Sequence, residues 1–174
     1  MSLGKWSGRK QEPPSAGNIA RMSAQRFLIT GGSQGIGAAV VAHARNHGHQ
    51  VVFTGRNQTQ IDAVTRETGA AGVVADVSID GDNERVVNHC VKQMGGIDVL
   101  INNAGVGYSA EIGSIDMSRM RSLFGTNVFG MVDLTNRVVP LMKAQAAGDI
   151  VNIASTSGTK GAKGATVYAG SKWS

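Results

Sequence analysis

The chain has 174 residues, 17% charged and 41% apolar, which suits one well-packed soluble domain and is short for two. No apolar run approaches the roughly 20 residues that a bilayer demands, so a spanning helix is excluded and no membrane partner is expected. The net charge of +5 gathers in residues 1–26, where five basic residues face one acid; the remainder holds twelve basic against eleven acidic residues, too even for the basic stripe of a nucleic-acid binder.

Residues 1–25 are rich in Gly, Pro, Ser and charge and lack the apolar core of a secretory signal, while Pro13, Pro14 and Glu12 spoil the amphipathic helix of a transit peptide. A flexible N-terminal extension over 1–25 is expected, with Met22 as an alternative start, followed by a folded domain over 26–174. In that domain "RFLIT" (26–30) reads as a strand, and "GIGAAVVAHARNHG" (35–48) as a helix ending at Gly48. "QVVFT" (50–54) is a second strand, 58–68 a helix, "GVVAD" (72–76) a strand, and 82–94 a helix with an apolar stripe stopped by Gly95 and Gly96. "IDVLIN" (97–102) is a fourth strand. Residues 116–145 read as one long helix that Pro140 kinks late. "GDIVNIAS" (148–155) is a fifth strand, and "TVYAGSK" opens a further helix.

Strands and helices alternating through short links predict parallel strands joined by right-handed crossovers. The strands are near-continuously apolar, as strands covered on both faces must be. The expected fold is α/β: a doubly wound parallel sheet of about five strands, a Rossmann fold. Cys90, the only cysteine, lies in an apolar helical stretch, so it reads as a buried hydrophobe in a reducing, cytoplasmic setting.

"TGGSQGIG" (Thr30–Gly37) closes the first strand and opens the first helix. Unpaired N–H groups at a helix start carry partial positive charge and suit a pyrophosphate. Within the loop, with Ser33 and Ile36, Gly31 takes the turn, Gly35 lets phosphates approach the backbone, and Gly37 lets helix and strand pack closely. Strand before and helix after is the context such a motif needs for dinucleotide binding.

The TGxxxGxG spacing resembles the short-chain dehydrogenase/reductase family. "NNAG" (102–105), Asn127 in the long helix, Ser155 at the end of the fifth strand, and Tyr168-x-x-x-Lys172 follow in that family's order, the tyrosine 13 residues after the serine. The resemblance covers residues 26–174. It implies an NAD(P)-dependent oxidoreductase with catalytic residues Asn127, Ser155, Tyr168 and Lys172 and a carbonyl or alcohol substrate. By the same resemblance Asp76, with Val77 beside it, contacts the adenine, and Asn103, Ala104 and Gly105 run along that side of the cofactor. Lys172 hydrogen-bonds the nicotinamide ribose, and Asn127 braces a water linking Lys172 to solvent.

At the end of the second strand an acid would bind a free ribose 2′-OH and exclude a phosphate. Here Gly55 stands there, followed by Arg56, whose guanidinium suits the 2′-phosphate of NADP; the alternative is a solvated arginine and NAD. Tyr168 and Lys172 lie about one helical turn apart, so the ammonium would favour the phenolate and let Tyr168 act as general acid in reduction and base in oxidation. Ser155 would hold the substrate oxygen. Singly, each has a plainer reading: core aromatic, solvated lysine, strand-end cap, buried amide.

His43, His47 and His49 have spacing that a metal could use, but they fall at the far end of the first helix, so no metal site is expected. Tyr108 and Ser109, just after NNAG, stand where a substrate pocket would begin. Lys160 and Lys163, between Ser155 and Tyr168, could attract an anionic substrate or simply be solvated. Two residues follow Lys172, whereas family members continue with further strands and a helix that packs in an oligomer interface. The expectation is therefore a C-terminally incomplete domain, homo-oligomeric at full length, with a short helix prone to fray and the fifth strand left as an exposed edge. A natural nucleotide-binding form without turnover, or assembly with a separate polypeptide, are the other readings.

Overall fold

Side chains of the central strands alternate between two helical layers, so each apolar run is buried from both sides. The computed structural model describes residues 23–173. All but the last three residues of the expected N-terminal extension lie outside the described residues. Five strands, β1 (Arg26–Ile29), β2 (Gln50–Gly55), β3 (Ala71–Val74), β4 (Val99–Asn102) and β5 (Asp149–Asn152), form one parallel sheet in the order β3-β2-β1-β4-β5. The helices between them are α1 (Gly35–Asn46), α2 (Gln58–Thr68), α3 (Asp80–Met94), α4 (Met117–Phe124) and α5 (Met131–Ala144). A last helix, α6 (Thr166–Lys172), follows a single 3-10 turn at Thr156–Gly158.

Leu28, Val52 and Leu100 face α3 and α5, where they meet Val86, Cys90, Leu134 and Val138. Their chain neighbours Ile29, Phe53 and Ile101 face α1 and α2 and meet Val41, Ile61 and Val64. This is the doubly wound arrangement predicted from the sequence. Strand order reverses between β1 and β4, and the crevice beyond the carboxyl ends of these strands is where such sheets bind ligands.

Three elements differ from expectation. β4 starts at Val99 rather than residue 97; just before it, the Asp98 carboxylate accepts the Arg26 backbone N–H at 2.9 Å and two guanidinium bonds. The long helix is not continuous. Residues Gly125–Gly130 are π-helical, and Pro140 sits inside α5, which runs on to Ala144. A Cβ at Gly130 would overlap the Val77 carbonyl, so only glycine lets this segment lie so close to the chain after β3. Finally, β5 is half the expected length and all four of its residues are exposed at the sheet edge.

Candidate active site

The loop after β1 is shaped by two glycines in the left-handed region, Gly31 (φ 65°) and Gly35 (φ 55°). Gln34 provides no side-chain cap to α1, so the first N–H groups of that helix are left to the crevice. A Cβ at Gly37 would overlap the Gly31 carbonyl oxygen, whereas one at Gly35 would meet no atom within 4 Å and project into open space.

Thr30, 2% exposed, locks this loop to the segment after β4. Its hydroxyl oxygen accepts the N–H groups of Asn103 and Ala104, both at 3.0 Å. Asn103 answers by donating its amide to the carbonyls of Thr30 (2.9 Å) and Gly31 (3.1 Å). The loop and the NNAG segment therefore form one rigid wall.

That wall borders a cleft of about 280 Å³. From the glycine loop come Gly31, Ser33, Gly35, Ile36 and Gly37, with Ile36 standing 64% exposed. β2 contributes Gly55 and Arg56, the turn after β3 contributes Asp76 and Val77, and NNAG contributes Asn103, Ala104 and Gly105. A Cβ at Gly55 would press on the Ser33 hydroxyl at 2.6 Å, so the missing side chain is what lets Ser33 lie against the end of β2. Asp76 is fixed by the backbone N–H and hydroxyl of Ser78 at 2.9 and 2.7 Å, and its other oxygen lies 3.7 Å from Arg56 Nη1.

The remaining expected residues gather around the π-helical turn. π turns open the regular hydrogen-bond ladder and recur at functional sites. Asn127 is 5% exposed, and its side chain is fully engaged. Its Oδ1 accepts from Val106 N at 2.8 Å, and its Nδ2 donates to Val106 O and to Ser171 Oγ, each at 3.0 Å. Ser171 in turn donates to the Tyr168 carbonyl at 2.8 Å. Lys172 Nζ donates to Ile153 O at 3.0 Å. With Thr30, Ala104 and Asn127, and with Val77, Met131 and Ile153 on its apolar side, Lys172 lines a cavity of about 20 Å³, the size of one water. Asn102 also lines it, and its Oδ1 is buried with no partner among the described residues.

Tyr168 is half-buried one turn before Lys172 and faces a wider pocket of about 390 Å³, shared with Tyr108, Ser109 and Arg119. Ser155 accepts the Ser157 N–H at 3.2 Å and so caps the 3-10 turn. Among the described residues no side-chain hydrogen bond links Ser155, Tyr168 and Lys172 to one another. Nor is there any cluster of three potential metal ligands among them; His43 and His47 stack on each other at 4.2 Å on the outside of α1.

Thr30, Ser171 and Arg119 were not singled out from the sequence. Thr30 carries a signal, since it opens the TGxxxGxG motif. Ser171 carries a weaker one, lying inside the Tyr-Lys spacing, and Arg119 carries none.

Comparison with known proteins gives the geometry its lineage. A family model described as short chain dehydrogenase matches residues 25–174. Retinol dehydrogenase 8 of Bos taurus is 37% identical over 155 residues, covering 84% of this chain and 49% of that protein. The crystal structure of a short-chain dehydrogenase from Streptomyces avermitilis superposes with a TM-score of 0.83 at 30% identity, covering 87% of this chain and 57% of the other. The closed form of serine dehydrogenase complexed with NADP+ gives 0.81 at 29% identity, over 84% and 60%. The chain spans about three-fifths of the length of the curated relatives it matches. With glycine loop, NNAG wall and Tyr-Lys helix disposed around one crevice of a doubly wound sheet, this chain belongs to the short-chain dehydrogenase family of oxidoreductases.

Proposed function

We propose that the protein is an NADP(H)-dependent oxidoreductase interconverting a small-molecule carbonyl compound and its alcohol, with Tyr168 as the proton donor in reduction and acceptor in oxidation. The nicotinamide, when bound, exchanges a hydride with the reacting carbon. The residues present fit a dinucleotide: the uncapped start of α1 and the open side of Gly35 leave room for phosphates against the backbone. Arg56 and Ser33, which line the same cleft on either side of Gly55, would hold a 2′-phosphate. The NADP+ carried by serine dehydrogenase is in keeping with that choice.

The observation that carries the reading is the meeting of both halves of the site at Lys172. Its ammonium bonds Ile153 O at 3.0 Å and stands 3.7 Å from where a Cβ of Gly105 would be. Lys172 follows Tyr168 by one turn, so the two stand on one face of α6. The Ser155 hydroxyl accepts from Ser157 and keeps its own proton for a substrate oxygen. The cavity beside Asn127 and Lys172 is sized and lined to hold a water through which Lys172 exchanges protons with solvent. A cytoplasmic setting and a homo-oligomeric whole protein complete the proposal.

Calorimetric titration with NADPH and NADH tests the nucleotide half. NADPH is expected to bind at least about tenfold tighter, and Arg56→Ala to erase that difference without weakening NADH. Tyr168→Phe tests the chemical half: carbonyl reduction by the whole protein should vanish while NADPH affinity stays. Retained turnover would refute the assigned proton donor.

A further inference from the structure

The pocket at Tyr168 carries a cation that no carboxylate pairs with among the described residues, although the charge of Asp116 acts on it through space. Arg119, the third residue of α4, lines it, and its guanidinium carbon stands 4.7 Å from the centroid of the Tyr108 ring. That ring is itself held, because the Tyr108 hydroxyl oxygen accepts the Asp116 backbone N–H at 2.7 Å. Cation–π contact engages the face of a guanidinium and leaves its N–H donors for a ligand.

Among the described residues no hydrogen-bond acceptor takes those donors. Among the described residues no carboxylate comes within ion-pair distance of Arg119. Asp116, three residues earlier, spends one carboxylate oxygen on the Ser118 hydroxyl at 2.6 Å and on the N–H groups of Ser118 and Arg119 at 2.8 and 3.3 Å. Lys163, one of the two lysines that the sequence left as either an attractor of anions or simply solvated, is paired with Glu111 at 3.0 Å, and neither lines the pocket.

We infer that Arg119, held on the ring of Tyr108, determines specificity in the pocket at Tyr168 by binding a carboxylate borne by the carbonyl substrate. The inference rests on the reaction proposed above and adds its substrate class: an oxo acid whose carboxylate lies apart from the reacting carbonyl. A pocket of about 390 Å³ is of small-molecule size. Arginine suits the role better than lysine, since its planar fork takes both carboxylate oxygens while its face rests on the ring.

The test is a binding measurement without turnover. The whole protein, saturated with NADP+, is titrated calorimetrically with 4-acetylbenzoate and with its neutral counterpart 4-acetylbenzamide. The acid is expected to bind about tenfold tighter than the amide, and more weakly as salt rises. Arg119→Gln should erase that preference, and Arg119→Lys should restore only part of it. Circular dichroism checks that the variants, altered at an exposed side chain, remain folded. Equal affinity of 4-acetylbenzoate for wild type and Arg119→Gln, or no binding of it by the wild type, overturns the inference. Carboxylate selectivity in a protein whose Tyr168→Phe variant still reduces ketones would uphold Arg119 and sink the proton-donor assignment, so the two failures are told apart.

Discussion

Asn127 donates from Nδ2 to the hydroxyl of Ser171 over 3.0 Å, a bond that spans 44 residues and ties the π-helical turn to the helix bearing Tyr168 and Lys172. The same amide grips Val106 in both directions, so one buried side chain holds the end of the NNAG wall and α6 together. Ser171→Ala removes the acceptor and is expected to cost about 1–2 kcal/mol. Asn127→Ala, which strands both Val106 groups, should cost about 2–3 kcal/mol by the same reasoning. A double-mutant cycle in urea should give a coupling of about 1 kcal/mol; a value near zero would mean that the bond does not hold α6 in place.

Gly35 and Gly37 make a second, sharper contrast, although both belong to one motif. An added methyl at Gly37 overlaps the Gly31 carbonyl, so Gly37→Ala should cost about 1–3 kcal/mol through overpacking between α1 and the loop. At Gly35 the methyl meets nothing, and the positive φ alone costs about 1–2 kcal/mol. Gly35→Ala should therefore act chiefly on NADPH affinity, raising the dissociation constant because the methyl enters the cleft. Urea midpoints and NADPH titrations of the two variants separate these effects, and loss of binding at Gly37 with none at Gly35 would reverse the roles.

The strands and most helices were legible because burial on both faces leaves unbroken apolar runs such as that of Val51, Val52 and Phe53, and because glycines mark the ends. The cleft was legible because backbone geometry demands glycine at fixed places. The break at 125–130 was not, since inserting a π turn only shifts the register of buried positions, which still read as a helical stripe from Leu123 to Leu134. Gly125 and Gly130, two poor helix formers flanking Asn127, were the available hint. Arg119 was illegible for a different reason. Its place in the pocket depends on the fold of the loop that brings Tyr108 back to α4, and no local pattern encodes that meeting. Lys163 looked more suggestive in the sequence only because its partner, Glu111, is 52 residues away.

Asp98 should set part of the acid limit of stability. The Arg26 guanidinium hydrogen-bonds its carboxyl and holds it below the usual carboxylate range, against the opposing effect of burial. A carboxyl lowered in the folded state stabilises fully above its unfolded value of about 3.9, and that stabilisation is lost as pH falls through the lower folded value. Asp98→Asn is therefore expected to cost about 1–2 kcal/mol near pH 7 and little at the lowest pH where the protein still folds. Parallel loss at every pH in urea titrations would assign the effect to shape rather than charge.

Cys90 completes the set through its silence. It is wholly enclosed between α3 and the sheet, and burial pushes its thiol up to about 12, so little thiolate exists at neutral pH. A disulfide reagent such as DTNB at pH 8 should label the native protein only as fast as it opens. The labelling rate should rise with urea in step with unfolding and stay insensitive to reagent concentration once opening limits it. Rapid labelling without denaturant would mean that the α3–α5 layer is not closed over β1 and β4, and the packing assigned to Leu28, Leu100 and Val138 would have to be withdrawn.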